Sequence, residues 1–101
     1  MSGTVEEQAL IVKLQLQDDP FGSDQERARI AALEDQLKQT IEEATLGDFD
    51  GDEFGGYVCT IYLYGPDADR LFAAVFPILW RFNAGPGSSV IKRYGSAGAH
   101  H

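Results

Sequence analysis

Residues 9–17, ALIVKLQLQ, alternate along the chain. Leu10, Val12, Leu14 and Leu16 fall on one side, and Ile11, Lys13, Gln15 and Gln17 on the other. A two-residue period with one apolar side predicts a half-buried strand. The Pro, Gly and Asp of DDPFGSD then break the pattern as a loop. Beyond it the period changes: Ile30, Leu33, Leu37, Ile41 and Ala44 recur at helical spacing, which predicts a helix over about 24–45. Ser23 and Glu26 match the S-x-x-E box, in which each side chain satisfies a backbone amide that the first turn leaves unpaired. Glu34 and Lys38 stand one turn apart on the wet side of this helix, spaced as an ion pair.

Residues 46–50 make a short strand, and Gly51-Asp52 and Gly55-Gly56 read as turn punctuation. YVCTIYLY, 57–64, is β-branched and aromatic and predicts the next strand. Tyr57, Cys59, Ile61 and Leu63 share one side of it; Val58, Thr60, Tyr62 and Tyr64 share the other. Gly65-Pro66-Asp67 ends that strand, with Asp67 placed to cap a second helix and Asp69 placed to favour its dipole. The apolar arc of this helix is Leu71, Phe72, Val75, Ile78, Leu79 and Phe82. Pro77 removes one backbone hydrogen bond inside it and predicts a kink. Phe76 lies off the centre of the arc and Trp80 nearly opposite it. Either the kink turns Trp80 inward, or Trp80 is an exposed anchor of the kind that dominates interfaces. After the NAGPGSS loop, residues 89–94 close the chain with a last strand.

The order β-α-β-β-α-β is the split βαβ of ferredoxin-like folds. It implies an α+β sandwich: a four-stranded antiparallel sheet in the order 4-1-3-2, with two helices on one face. Residues 1–8 read as an N-terminal tail, 9–95 as one ferredoxin-like domain, and 96–101 as a second tail. The GSAGAHH ending has the composition of a purification-tag remnant, so His100 and His101 carry no functional weight. On this topology the helix-free face displays Ile11, Lys13, Tyr62, Tyr64 and Val90. The first loop, the central hairpin and the last loop meet at one end. There they would gather Asp18, Asp19, Asp24, Asp50, Asp52 and Glu53 into an acidic tip, which a cation, a basic peptide or salt would relieve.

The totals narrow the function. A chain of 101 residues is one domain with a modest core. Its formal net charge of −8 excludes nucleic acid and anionic membrane surfaces as partners. The apolar runs fall short of a membrane span, and no basic-then-apolar leader opens the chain, so a cytoplasmic protein is expected. The single cysteine, Cys59, allows neither an internal disulfide nor a cysteine-based zinc site, and it reads as a buried inert thiol.

DFDGDEFGG, 48–56, invites comparison with a calcium loop. Such a loop needs oxygens at positions 1, 3 and 5, glycine at 6 and glutamate at 12. Counting from Asp48 puts Glu53 at the glycine position and Cys59 at the last one; counting from Asp50 puts Phe54 at position 5 and Ile61 at 12. Neither frame works, and a tight turn explains the composition. The sequence therefore names no metal and no cofactor. No histidine lies within the fold, Ser88 and Ser89 lack a partner base, and no carboxylate is marked as desolvated, so a non-catalytic role is expected. GGYVCTIYLY follows the RNA-binding RNP1 pattern only loosely and lacks its leading basic residue.

Family patterns add one likeness. DDPFGSDQ has no phosphate-cradling arginine of the acylphosphatase kind, and no CxxC marks a heavy-metal-associated domain. Asp18-Asp19-Pro20-Phe21-Gly22 is similar to the D-x-P-G of amino-acid-sensing ACT domains, with one extra residue. GDFDGDEFGG followed by YLYGPDADRLF, 47–72, resembles a group of short bacterial hypothetical proteins sharing G-x-x-D-G … Y-x-Y-G-P-D-A-D. That resemblance implies fold and bacterial origin and brings no activity. The expectation is a small acidic protein that binds a protein partner or forms a homodimer. Contact would run through the acidic loop end (Asp18, Asp19, Asp50, Asp52, Glu53) or the open sheet face (Ile11, Lys13, Tyr62, Tyr64), with Phe76 and Trp80 as a further interface. The alternative is an ACT-like small-molecule sensor or a cofactor-free dimeric enzyme with a pocket over Tyr62 and Tyr64.

Overall fold

The computed structural model describes residues 7–95; the expected tails at 1–6 and 96–101 lie outside that range. In chain order the elements are β1 (Gln8–Gln15), α1 (Asp24–Glu43), β2 (Asp48–Gly55), β3 (Val58–Gly65), α2 (Ala68–Phe82) and β4 (Ser89–Arg93). The sheet runs β2-β3-β1-β4 with antiparallel neighbours throughout, which is the expected ferredoxin-like order read from its other edge. The alternation in β1 does what its period predicts. Leu10, Val12 and Leu14 turn to the helix layer and meet Cys59, Ile61 and Leu63 from β3. Ile30, Leu33, Leu37 and Ile41 of α1 and Leu71 and Val75 of α2 close over them. Each such aliphatic side chain contributes about 1.5–3 kcal/mol on leaving water.

Helix α1 starts where its box places it. Glu26 N–H donates to Ser23 Oγ (3.1 Å) and Ser23 N–H to Glu26 Oε1 (3.0 Å). The other carboxylate oxygen of Glu26 accepts from the backbone of Gln17 (2.7 Å) and Asp18 (3.2 Å), so one side chain ties the end of β1 to the start of α1. These backbone donors hold the Glu26 carboxyl below its ordinary range. The expected Glu34–Lys38 ion pair is absent among the described residues; Glu34 is half-buried and turned toward β2 instead.

The expected short strand and acidic turn are one strand. β2 pairs with β3 from Asp48 to Gly55, with a bulge between Phe49 and Gly51. Asp50 is the extra residue, and Gly51 takes φ 114° beside it. The bulge resets the alternation, so that Phe49, Asp52 and Phe54 share the helix side while Glu53 points to the open side. The turn itself is only Gly56-Tyr57, both at positive φ as a type I′ hairpin requires. Tyr57 therefore leaves the inner row expected for it.

α2 continues through Pro77 to Phe82. Pro77 and Ala73, whose carbonyl loses its helical donor, are both exposed, so water can serve the orphaned oxygen. In β4 the register places Val90 opposite Val12, against the core, and Ile91 opposite Ile11. The open-face position expected for Val90 belongs to Ile91, because the strand enters one residue out of the assumed phase.

Candidate functional site

The three loops do converge at one end. Leu16 N–H donates to the Tyr57 carbonyl (2.7 Å), Tyr57 N–H to that of Pro20 (3.0 Å), and Gln15 N–H to Ser88 Oγ (2.9 Å). Asp18 and Asp19 lie in the β1–α1 loop and hold its shape: Asp19 Oδ1 accepts from Phe21 N–H (2.8 Å) and Asp18 Oδ2 from the Ser23 hydroxyl (3.2 Å). Asp50, Asp52 and Glu53 belong to β2 rather than to a turn, and Asp52 and Glu53 point to opposite sides of the sheet.

The open face carries Ile11, Lys13, Tyr62 and Tyr64 as expected, but its polar ends are engaged. The Tyr62 hydroxyl donates to Glu53 Oε1 (2.6 Å), and that bond, with some burial, raises the phenol's pKa. The Arg93 guanidinium lies 5.8 Å from the Tyr64 ring centroid. Ile11 and both tyrosines are half-buried and Lys13 is exposed.

Exposed large aromatics stand at Phe21, Tyr57 and Tyr94, and two adjoin each other on α2, Phe76 and Trp80. Phe72, Phe76 and Trp80 recur every fourth residue and form a ladder, with ring centroids 5.3 Å and then 6.0 Å apart. Phe72 is packed against the core and covered by Lys92 Nζ, 4.7 Å from its centroid. Phe76 is 45% exposed and Trp80 74%. Pro77 does not turn Trp80 inward. Beside the ladder runs a groove of about 480 Å³ between α2 and β4, lined by Phe72, Phe76, Leu79, Trp80 and Val90 among others. β4 is the edge of the sheet, so the groove ends on a strand with one side unpaired. Charges here are compensated locally: Lys92 Nζ is 3.1 Å from Asp69 Oδ1, which also accepts from the Tyr94 hydroxyl (2.7 Å). Those two donors hold the Asp69 carboxyl below its usual range.

A second cluster was not visible from the sequence. A carboxyl oxygen of Glu34, one of Asp52 and the Cys59 sulfur lie within 4.8 Å of one another, under α1 and against β2. Burial, with the charges of Asp52 and Glu34 adding, pushes the Cys59 thiol up to about 12. At neutral pH such a thiol is a poor nucleophile. The signal was present but mute: Glu34 is four residues after Ile30 and three before Leu37, on the border of the apolar stripe.

Among the described residues no helix is long and apolar enough to cross a membrane. No protein family, no curated protein and no solved structure matches the chain.

Proposed function

We propose that the protein is a non-catalytic contact module that associates with a second copy of itself through the flank where α2 meets β4. The observation that carries this is Trp80: the chain's single tryptophan stands 74% exposed, stacked on a half-exposed Phe76, above an apolar groove. Large aromatics left in water on a rigid helix are what hot spots are made of, since they bring much contact area at little entropic cost. Charge favours this flank for a self-contact. With a net charge of −8, two copies repel, and least where carboxylates are fewest or paired. Asp48, Asp50, Asp52 and Glu53 occupy the opposite edge of the sheet, whereas here Asp69 is neutralised by Lys92.

The pocket-over-tyrosines reading has less behind it, because the Tyr62 hydroxyl is already engaged by Glu53. Sedimentation velocity at low and high protein concentration tests the proposal. The native chain is expected to gain mass with concentration, while W80A remains monomeric at both. A native chain that is monomeric throughout would refute self-association.

A further inference from the structure

Glu34 and Asp52 bring two carboxyl groups together with no cation to separate them. Glu34 sits midway along α1, Asp52 on the helix side of the edge strand β2, and the Cys59 thiol of β3 beneath both. Oε2 of Glu34 is shut off from water and has no hydrogen-bond partner. An ionised oxygen in that position is costly, because neither solvent nor a donor compensates it. The charged groups around it offer no relief. On α1, Asp35 adds negative charge, Lys38 makes no ion pair with Glu34, and the Arg27 guanidinium is stacked over the Phe54 ring at 4.2 Å. From β2 comes only the Asp52 carboxylate, and from β3 only a protonated thiol. Two carboxyl groups this close cannot both ionise cheaply. Within the chain's own groups, a proton is what satisfies Oε2.

We propose that a proton on Glu34, donated to an Asp52 oxygen, latches α1 to the edge strand β2, closed in acid and released once Glu34 ionises. In the closed state the Glu34 carboxyl donates and an Asp52 oxygen accepts. Loss of the proton replaces that hydrogen bond with two facing negative charges. Since β2 is held to the helix layer otherwise by Phe49 and Phe54, release loosens the sheet at its acidic edge.

Burial first, then the hydrogen bond and charge of Asp52, push the Glu34 carboxyl from its ordinary 4.5 to about 8. A pKa raised in the fold means that the folded chain binds more protons than the unfolded one between those values. The stabilisation is complete below about 4.5 and is lost as pH rises through about 8.

Carboxyl-carbon NMR of the native chain, titrated from pH 3 to 9.5, reads the pair directly. Glu34 is expected to titrate with its main step near 8, and D52N to lower that step only in part, since the burial remains. Urea midpoints give the second readout. E34Q can donate to Asp52 at every pH, so its midpoint should rise relative to the native chain between pH 5 and pH 8.5. A Glu34 step at its ordinary 4.5, or a difference between E34Q and the native chain that stays constant with pH, overturns the latch. If E34Q does not fold, the native titration alone decides.

Discussion

Gly47 and Gly65 sit back to back where the start of β2 passes the end of β3. A Cβ on Gly47 would collide with the Tyr64 carbonyl, and one on Gly65 with that of Leu46. Both obstacles are backbone, which cannot swing aside. Gly51, at the bulge, has open space where its Cβ would go, and only its φ of 114° resists substitution. Gly65 and Gly51 therefore separate crowding from conformational strain, whereas Gly47, at φ 153°, carries both. G65A should lose about 2 kcal/mol or more of stability, with the steric overlap as the named cause, and G51A about 1 kcal/mol. Urea denaturation of the two variants checks the order; equal losses would contradict it. The G-x-x-D-G … Y-x-Y-G-P-D-A-D pattern acquires a structural meaning here. Its glycines allow a close backbone crossing and a bulge, and its Asp67 caps α2 by accepting from Asp69 and Arg70 N–H groups.

At the scale of elements, what was legible in the sequence is what local periodicity encodes. β1, α1, β3 and the body of α2 each carry their period over many residues, and their order suffices for the fold. β2 was legible only up to Asp50, because its alternation is broken there and the rest of its strand character comes from pairing with β3, a tertiary effect. Asp52 and Glu53, beyond the bulge, therefore read as part of a turn. The same cause hid the Glu34–Asp52 pair. A helical wheel places Glu34 at the border of the stripe, but only the register of β2 shows which residue stands opposite.

The β1–α1 connection offers a test at this scale. Glu26 serves three backbone donors at once, through both carboxylate oxygens. Its lowered carboxyl pKa means that the stabilisation is present above about 4.5 and is lost as pH falls through the still lower folded value. E26Q should therefore lower the urea midpoint at pH 6 and approach the native chain at pH 3. The trend is opposite in sign to that of Glu34. A loss that does not depend on pH would mean the bonds to Gln17, Asp18 and Ser23 act without the charge.

Across the whole molecule, acidic and aromatic surface lie at opposite edges of one sheet: β2 with its carboxylates on one side, β4 with the Phe76–Trp80 ladder beside it on the other. The orientation of Trp80 was beyond sequence reasoning because Pro77 left two outcomes open, and the exposed one holds. In the proposed self-contact through α2 and β4, this separation would keep the self-repelling edges apart and leave Glu34 and Asp52 free of the contact. Trp80 reports on that contact without any label, as it is the chain's single tryptophan. Its fluorescence emission, followed as the protein is diluted a thousandfold at neutral pH, is the most direct test. Self-association through this flank predicts blue-shifted emission at high concentration that moves to the red on dilution, with F76A red throughout. Emission that is equally red at every concentration would contradict it.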